Sequence, residues 1–432
     1  MAWDTATLRT RTSIGLDDPA LVAHGQLPSF RPARGSLGPY RLVCELAAGG
    51  MGTVYVAQRT EETGIERTVA LKTIRAHLTD RPDFVRMFVS EARVLSSINH
   101  PYVCKLWDVG TAGGSPYLAM EYLVGEPLSR LFPLMSANRS DFSTGCLVRT
   151  VAKLCDGLHA AHEVQDQEGV PLKIVHRDIS PQNLFLLYDG TVRILDFGVA
   201  RGGGGPLTPE GTIKGKCAYM SPEQVRAQDV DRRTDVWSLG VVTWEMLTGK
   251  ALFSHESETK ASVGVELGKI EPPSTHNPFV PPDLDDVVMR ALRRHPDDRY
   301  ADALAFGNAL EQLMSTHFGH IPRAALGSWL DAMFPGSRDY RKLIVQHSRR
   351  LNEPEVGRAG RTTRRTLVTR PNRKGSGKQA HPSVPPTETP KSAPPLGSAV
   401  SRAMQSIARW VRGNQARDEA QVKAATGTLP GE

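Results

Sequence analysis

Cysteine is scarce in this sequence. Its five residues, Cys44, Cys104, Cys146, Cys155 and Cys217, lie far apart and form no C-x-x-C pair. That usage argues against a disulfide framework and for reduced thiols. A run of about 18 apolar residues is missing throughout, so no membrane span is expected. The start, Met1-Ala2-Trp3-Asp4-Thr5, lacks the basic-then-apolar pattern of a secretory signal. Together these absences predict a soluble, cytoplasmic chain.

Acidic residues are thin in one region only. From Arg349 onward there are 16 Lys/Arg against 6 Asp/Glu, an excess larger than the +7 carried by all 432 residues. The basicity therefore belongs to the tail, and the rest gives no reason to expect nucleic acid as a partner. With 40% hydrophobic residues the chain can bury a sizeable core, and its length exceeds one average domain. Residues 1–37 mix Pro, Gly, Arg and Thr without a sustained period, which predicts a disordered leader with a short helix near Asp17–Ala23. Residues 352–400 are rich in Pro, Ser, Thr and Arg/Lys and read as a basic disordered linker. Within 401–432, Met404, Ile407, Ala408 and Val411 share one helical face. Such a basic helix either docks on an anionic membrane or a partner, or simply frays in solvent.

Between these ends the pattern is ordered. Tyr40-Arg41-Leu42-Val43 opens strand-like runs that reach Leu71. Two of them flank Leu46-Ala47-Ala48-Gly49-Gly50-Met51-Gly52-Thr53, and the second is Val54-Tyr55-Val56-Ala57. Glycines between strands let backbone N–H groups approach phosphate oxygens, because no Cβ intervenes. Alone, such a hairpin is more often only a tight turn. Val69-Ala70-Leu71-Lys72 is a strand ending in a lysine. From Pro82 to Ile98, the positions Phe84, Met87, Phe88, Leu95 and Ile98 mark one helical face, and Glu91 falls on it. A carboxylate there is costly unless paired, and Lys72 is the obvious partner. Further strands are expected around Val103–Trp107 and Tyr117–Tyr122, then a long helix from near Gly145. A polar, exposed loop is expected over residues 165–171.

The stretch Ile174-Val175-His176-Arg177-Asp178-Ile179-Ser180-Pro181-Gln182-Asn183-Leu184-Phe185 sets a short polar loop between apolar anchors. Asp178, Asn183 and, after a strand-like run, Asp196 in Asp196-Phe197-Gly198 offer oxygens of the kind Mg²⁺ takes. Downstream come Tyr219-Met220-Ser221-Pro222-Glu223, the apolar helix opening at Asp235-Val236-Trp237, and Pro296-Asp297-Asp298-Arg299. This ordered set resembles the bacterial eukaryotic-like (Hanks-type) serine/threonine protein kinases over about residues 38–315.

The resemblance implies an α+β, bilobal protein-kinase fold. A small antiparallel-sheet lobe with one helix would span about 38–123, and a mainly helical lobe about 124–315. Helices at Ala324–Phe334 and Tyr340–Leu351 would be appended within 316–351. It implies ATP with Mg²⁺ (Mn²⁺ being an alternative) and protein substrates, the chain itself included. Lys72 would contact the α/β-phosphates, paired with Glu91. Asn183 and Asp196 would hold the metal, and Asp178 would orient the substrate hydroxyl and accept its proton. Leu46, Ala47, Gly49 and Gly52 would cover the nucleotide, with Val54, Ala70 and Phe185 around the adenine. Met120 would stand beside the ring, and the backbones of Glu121 and Leu123 would bond it. Leu95, Leu106, His176 and Phe197 would stack as a spine. Glu223 would pair with Arg299, and Asp235 would be structural.

Three features depart from the family pattern or regulate it. Ala47 replaces the first glycine of the phosphate loop. Ser180 stands where such kinases usually carry a lysine, and Lys216 where they usually carry a threonine. Either the two side chains have exchanged roles at the γ-phosphate, or Lys216 faces solvent and activity is reduced. Arg177, directly before Asp178, would await a phosphate on the activation segment, with Thr208 and Thr212 as candidates. The competing reading is a pseudokinase or nucleotide-binding scaffold that signals through its tail.

Overall fold

The computed structural model describes residues 31–350 apart from 34, 50–51, 198–215 and 254–256. The expected helices at Asp17–Ala23 and 401–411, the linker, and the candidate phosphorylation sites Thr208 and Thr212 lie outside the described residues.

The small lobe is built on one antiparallel sheet. Its strands are β1 (Arg31–Pro32), β2 (Ser36–Leu37), β3 (Tyr40–Ala48), β4 (Gly52–Thr60), β5 (Glu66–Ile74), β6 (Leu106–Ala112) and β7 (Ser115–Glu121). The order is β1-β3-β4-β5-β7-β6, with β2 pairing β3. The end of the leader thus belongs to the sheet: Arg31 and Pro32 pair with Glu45 and Cys44, and Ser36 and Leu37 with Arg41 and Tyr40. Two-residue strands carry no readable period, which is why residues 31–37 look irregular in the sequence.

Alternation along the strands decides what faces the cleft. Val69 and Leu71 pack with Tyr117 and Ala119 on one face. Ala70, Leu118 and Met120 join the large core on the other. Lys72, two residues beyond Ala70, is therefore carried on the inner face. Helix α1 (Pro82–Ser97) covers that face through Val85, Phe88, Val89, Ala92 and Leu95. The buried stripe is rotated slightly from the one expected, since Phe84 and Met87 are only half-buried. Strand β6 begins at Leu106; Val103 makes only an isolated bridge to Ile194.

The large lobe starts earlier than the period suggests. After β8 (Gly125–Pro127) comes α2 (Leu128–Met135), a two-turn helix with Pro133 inside it. The proline hides it from a propensity reading. Helix α3 (Asp141–His162) follows, capped by the Ser140 side chain, which accepts from the Ser143 N–H. A three-stranded sheet, β10-β9-β8, is completed by β9 (Leu184–Leu187) and β10 (Val192–Ile194). Helices α4 (Pro222–Val225), α5 (Arg233–Thr248), α6 (Glu258–Leu267), α7 (Pro282–Ala291) and α8 (Ala303–Leu313) complete the lobe. Every residue of α5 from Thr234 to Thr248 is buried, the mark of a helix at the centre of a core. All five cysteines are free and buried, and burial pushes Cys44 and Cys146 up to about 12. None of the described helices is long and apolar enough to cross a membrane.

Two more helices follow, α9 (Arg323–Met333) and α10 (Ser337–Arg350). They are part of the packed body rather than an appendage. Leu326, Trp329 and Leu330 enter the main core, and Tyr340 and Ile344 pack with Val43, Cys44 and Val56 of the small lobe.

Candidate active site

Lys72 is the hub of the cleft. Its Nζ donates to Glu91 Oε1 at 2.6 Å and to Asp196 Oδ1 at 3.0 Å, so β5, α1 and the segment after β10 meet on one ammonium. Burial alone would strip its proton, but Asp196 and Glu91 outweigh that and hold the lysine well above its ordinary value. Burial pushes the Glu91 carboxyl up, against the pull of Lys72.

The loop that carries Asp178 hangs on one buried aspartate. Asp235, at the start of α5, accepts the His176 and Arg177 N–H groups at 2.8 Å each, and His162 Nε2 at 2.8 Å. Burial would raise this carboxyl, yet the His162 hydrogen bond and the charges and amides around it bring it below the ordinary aspartate value. These bonds offset the cost of Arg177 at φ 62°, a left-handed conformation unfavourable for a residue with a Cβ. Asp196 is also left-handed, at φ 49°. His176 Nε2 lies 2.8 Å from the Leu195 carbonyl, and its Nδ1 accepts from the Asp178 N–H at 3.3 Å. A carbonyl can only accept, so the proton sits on Nε2, and burial keeps the imidazole neutral. The His176 ring contacts Phe197 at 4.5 Å between centroids, with Leu95 and Leu106 buried in the same core.

Asn183 Nδ2 donates to the Asp178 carbonyl at 2.8 Å and to its carboxylate at 3.1 Å. Both amide protons are thereby engaged on Asp178, and Oδ1 remains as an oxygen donor. Asn183 directly precedes β9 and Asp196 follows β10, so a two-stranded hairpin sets their spacing. One amide oxygen and one carboxylate, the latter 40% exposed, form a donor set that fits a divalent cation completed by phosphate and water. Ser180 is buried, and its hydroxyl donates to Gln182 Oε1 at 3.3 Å. Arg177 is half-buried, and among the described residues its guanidinium has no hydrogen-bond or ion-pair partner. The Lys216 side chain lies outside the described residues.

The positions expected to cover the nucleotide fall on or next to β3, β4, β5, β7 and β9. Ala47 pairs with Val54 at the mouth of the β3–β4 hairpin, and the Gly49 N–H donates to Gly52 O at 2.8 Å, closing the turn. A Cβ on Gly52 would sit 2.2 Å from Thr73 O, so only glycine lets β4 approach β5 there. Ala70 lies between Val56 and Met120 in the sheet, and Val54 is opposite Lys72. Leu46 and Phe185 are half-buried. Glu121 spends its carboxylate on Arg193, two bonds of 2.9 Å that tie the end of β7 to β10. The Glu121 N–H donates to Lys105 O at 2.8 Å. Leu123 is buried, and its amide and carbonyl find no hydrogen-bond partner among the described residues. Farther off, Glu223 and Arg299 form a buried two-bond pair, with Thr234 Oγ1 donating to Glu223 at 2.7 Å.

Sequence reasoning missed His162, Arg193 and Gln224, whose Nε2 donates to the Arg177 carbonyl at 3.1 Å. Arg193 carried a signal, a charge between Val192 and Ile194 on a buried strand; His162 and Gln224 carried none.

The sequence profile of the family described as "Protein kinase domain" matches residues 40–318. The chain belongs to the protein kinase family. Among curated protein kinases it is 39% identical over 315 residues to Tyrosine-protein kinase MasK of Myxococcus xanthus (strain DK1622), covering 73% of this chain and 48% of that protein. It is 38% identical over 286 residues to Serine/threonine-protein kinase Pkn1 of Myxococcus xanthus, covering 65% and 39%. The chain thus spans about half or less of these relatives. The PknI kinase domain of Mycobacterium tuberculosis aligns with TM-score 0.48 and 24% identity, over 64% of this chain and 96% of that one. Protein kinases use ATP with a divalent cation, and Lys72, Asn183 and Asp196 form a donor set that fits both.

Proposed function

We propose that this chain transfers the γ-phosphoryl group of ATP to Ser/Thr hydroxyls of proteins, itself included, in signalling. The observation that carries the reading is the single Lys72 ammonium bonded to both Glu91 and Asp196. That contact brings the small-lobe helix and the metal-side carboxylate into register at once, as phosphoryl transfer by a kinase requires. Lys72 then binds the α/β-phosphates. Asp178, oriented by Asn183, accepts the hydroxyl proton as the substrate oxygen bonds to the γ-phosphorus and ADP departs. Asn183 and Asp196 would hold Mg²⁺, or Mn²⁺, which neutralises charge on the phosphates. Leu123 and Glu121 offer backbone groups to the adenine, beside Met120 and between Val54, Ala70 and Phe185.

Lys216 supplies the cation that Ser180 lacks, and a phosphate on Thr208 or Thr212 pairs with Arg177 and raises activity. An unchanged rate in a Lys216→Ala variant removes the first role, and active protein with both threonines unmodified removes the second.

The test of the whole reading is incubation of wild type and Asp178→Ala with labelled Mg-ATP, followed by phosphoamino acid analysis. Label on Ser/Thr in wild type alone supports it. Nucleotide binding without transfer would instead make the chain a pseudokinase scaffold. Label on tyrosine is the second reading, favoured by Ser180 in place of the usual lysine and by the similarity to MasK.

A further inference from the structure

The matched kinase domain stops at residue 318, yet α9 and α10 beyond it pack on the β9–β10 turn and on β3 and β4. Helix α9 sits against the β9–β10 turn at backbone contact. A Cβ on Gly327 would lie 2.5 Å from Tyr188 O, and one on Gly190 would lie 1.8 Å from Arg323 O. Arg323 also donates to the Asp189 carbonyl and carboxylate at 2.8 Å each. That turn belongs to the hairpin that spaces Asn183 from Asp196.

Helix α10 then crosses to the connection between the lobes. Glu126, three residues after Leu123, is fully buried and lies under the N-terminal half of α10. Its Oε1 accepts from Tyr188 Oη at 2.8 Å, Ser337 Oγ at 2.5 Å and Arg341 Nε at 2.9 Å. Its Oε2 accepts from Arg341 Nη2 at 2.6 Å and Arg130 Nη1 at 2.5 Å. Burial would raise this carboxyl, but Arg341, Ser337 and Arg130 bring it below the usual glutamate value. One and two turns on, Tyr340 and Ile344 form a small core with Val43, Cys44 and Val56, against which Leu46 and Tyr122 pack. Leu46 is a roof position of the nucleotide site, and Tyr122 precedes Leu123. The Tyr122 hydroxyl is buried beside the Arg341 guanidinium.

We propose that α10, held by Arg341 on Glu126 and by Ile344 on the small lobe, is a positioning element of the nucleotide site. It fixes the roof at Leu46 relative to the inter-lobe connection at Tyr122–Leu123. Arg341 is a positioning residue, since it acts through Glu126 and touches no reacting atom. The proposal rests on the kinase reading of the cleft. Its occupant is an adenine nucleotide, whose affinity depends on the distance between roof and connection.

The test compares the 432-residue wild type, Arg341→Ala, Arg341→Lys and Ile344→Ser by calorimetric titration with Mg-ADP, with KM for ATP and kcat alongside. Arg130 still pairs Glu126 in the Arg341 variants, which keeps the buried charge partly compensated. Expected for Arg341→Ala and Ile344→Ser is a loss of about tenfold in Mg-ADP affinity and a matching rise in KM, with kcat within about twofold. Arg341→Lys should fall between, because lysine keeps the charge but loses the two-bond fork. Wild-type affinity in folded variants with only a lower melting temperature makes α10 a structural cover and overturns the proposal, as does a fall in kcat at constant KM. If Arg341→Ala does not fold, Ile344→Ser decides by the same criterion. A wild type that binds Mg-ADP but transfers no phosphate overturns the kinase reading while the binding comparison still decides this one.

Discussion

Arg299 grips Glu223 through two bonds of 2.7 Å, with 0% and 7% of their side chains exposed. The guanidinium also donates to the carbonyls of Arg233, Arg293 and Arg294, and it lies 5.2 Å from the Trp237 ring. Removing one partner strands a buried charge, which costs about 3–5 kcal/mol. Arg299→Ala should therefore lower the melting temperature by on the order of 10 °C. Arg299→Lys should recover little, since lysine cannot serve two carboxylate oxygens and three carbonyls at once. Thermal denaturation by circular dichroism checks both, and a shift below about 2 °C for Arg299→Ala would sink the argument.

Lys72 makes the second prediction. Lys72→Met removes the ammonium that bonds both Glu91 and Asp196. It should reduce kcat/KM for labelled-phosphate transfer by roughly 10²–10³-fold. Glu91→Gln keeps a hydrogen-bond acceptor for Lys72 and should cost less. Equal losses in the two variants would mean that the pairing, rather than the lysine's own contact with phosphate, is what matters.

Acid should weaken the fold at three named carboxylates. Asp235, Glu223 and Glu126 all titrate below their ordinary values, because hydrogen bonds and nearby positive groups outweigh burial in each. Their unfolded values are near 3.9 for Asp and 4.3 for Glu, so the stability they contribute is present above that range. It is lost as pH falls through the lower folded values. The melting temperature should hold between about pH 5 and 7 and fall steeply below about pH 4. Asp235→Asn should start lower and show a shallower acid slope; an unchanged slope in that variant would show that Asp235 is not among the linked groups.

The order of motifs was readable because each carries a charge or glycine at a fixed place in an apolar pattern. Glu91 on the buried face of α1 and Lys72 at the end of β5 could be paired from periodicity alone, and they lie 2.6 Å apart. Other parts had no such pattern. Helix α2 is interrupted by Pro133, and β1 and β2 are two residues each, below the length at which alternation shows. The fixing of Glu121 by Arg193 is tertiary, 72 residues apart in sequence. Glu126 and Arg341 are 215 residues apart and each looks like an ordinary surface charge. Only the path of α9 and α10 back over the cleft brings those two together.

Glycine at position 327 sets two effects against each other. In the middle of α9, Gly327→Ala should stabilise the isolated helix by about 1 kcal/mol. The new Cβ would nevertheless stand 2.5 Å from Tyr188 O, and that neighbour is backbone rather than a movable side chain. Forcing such a contact costs about 1–3 kcal/mol, so the clash should win and the variant should melt lower. Gly190→Ala should be worse, because its φ of 78° disfavours any Cβ and its contact with Arg323 O would be 1.8 Å. Both should speed limited proteolysis between α8 and α9, where α9 would lift from the hairpin. A Gly327→Ala protein that melts higher than wild type would show that α9 yields to the added methyl, and that its seat on the β9–β10 turn is looser than these distances imply.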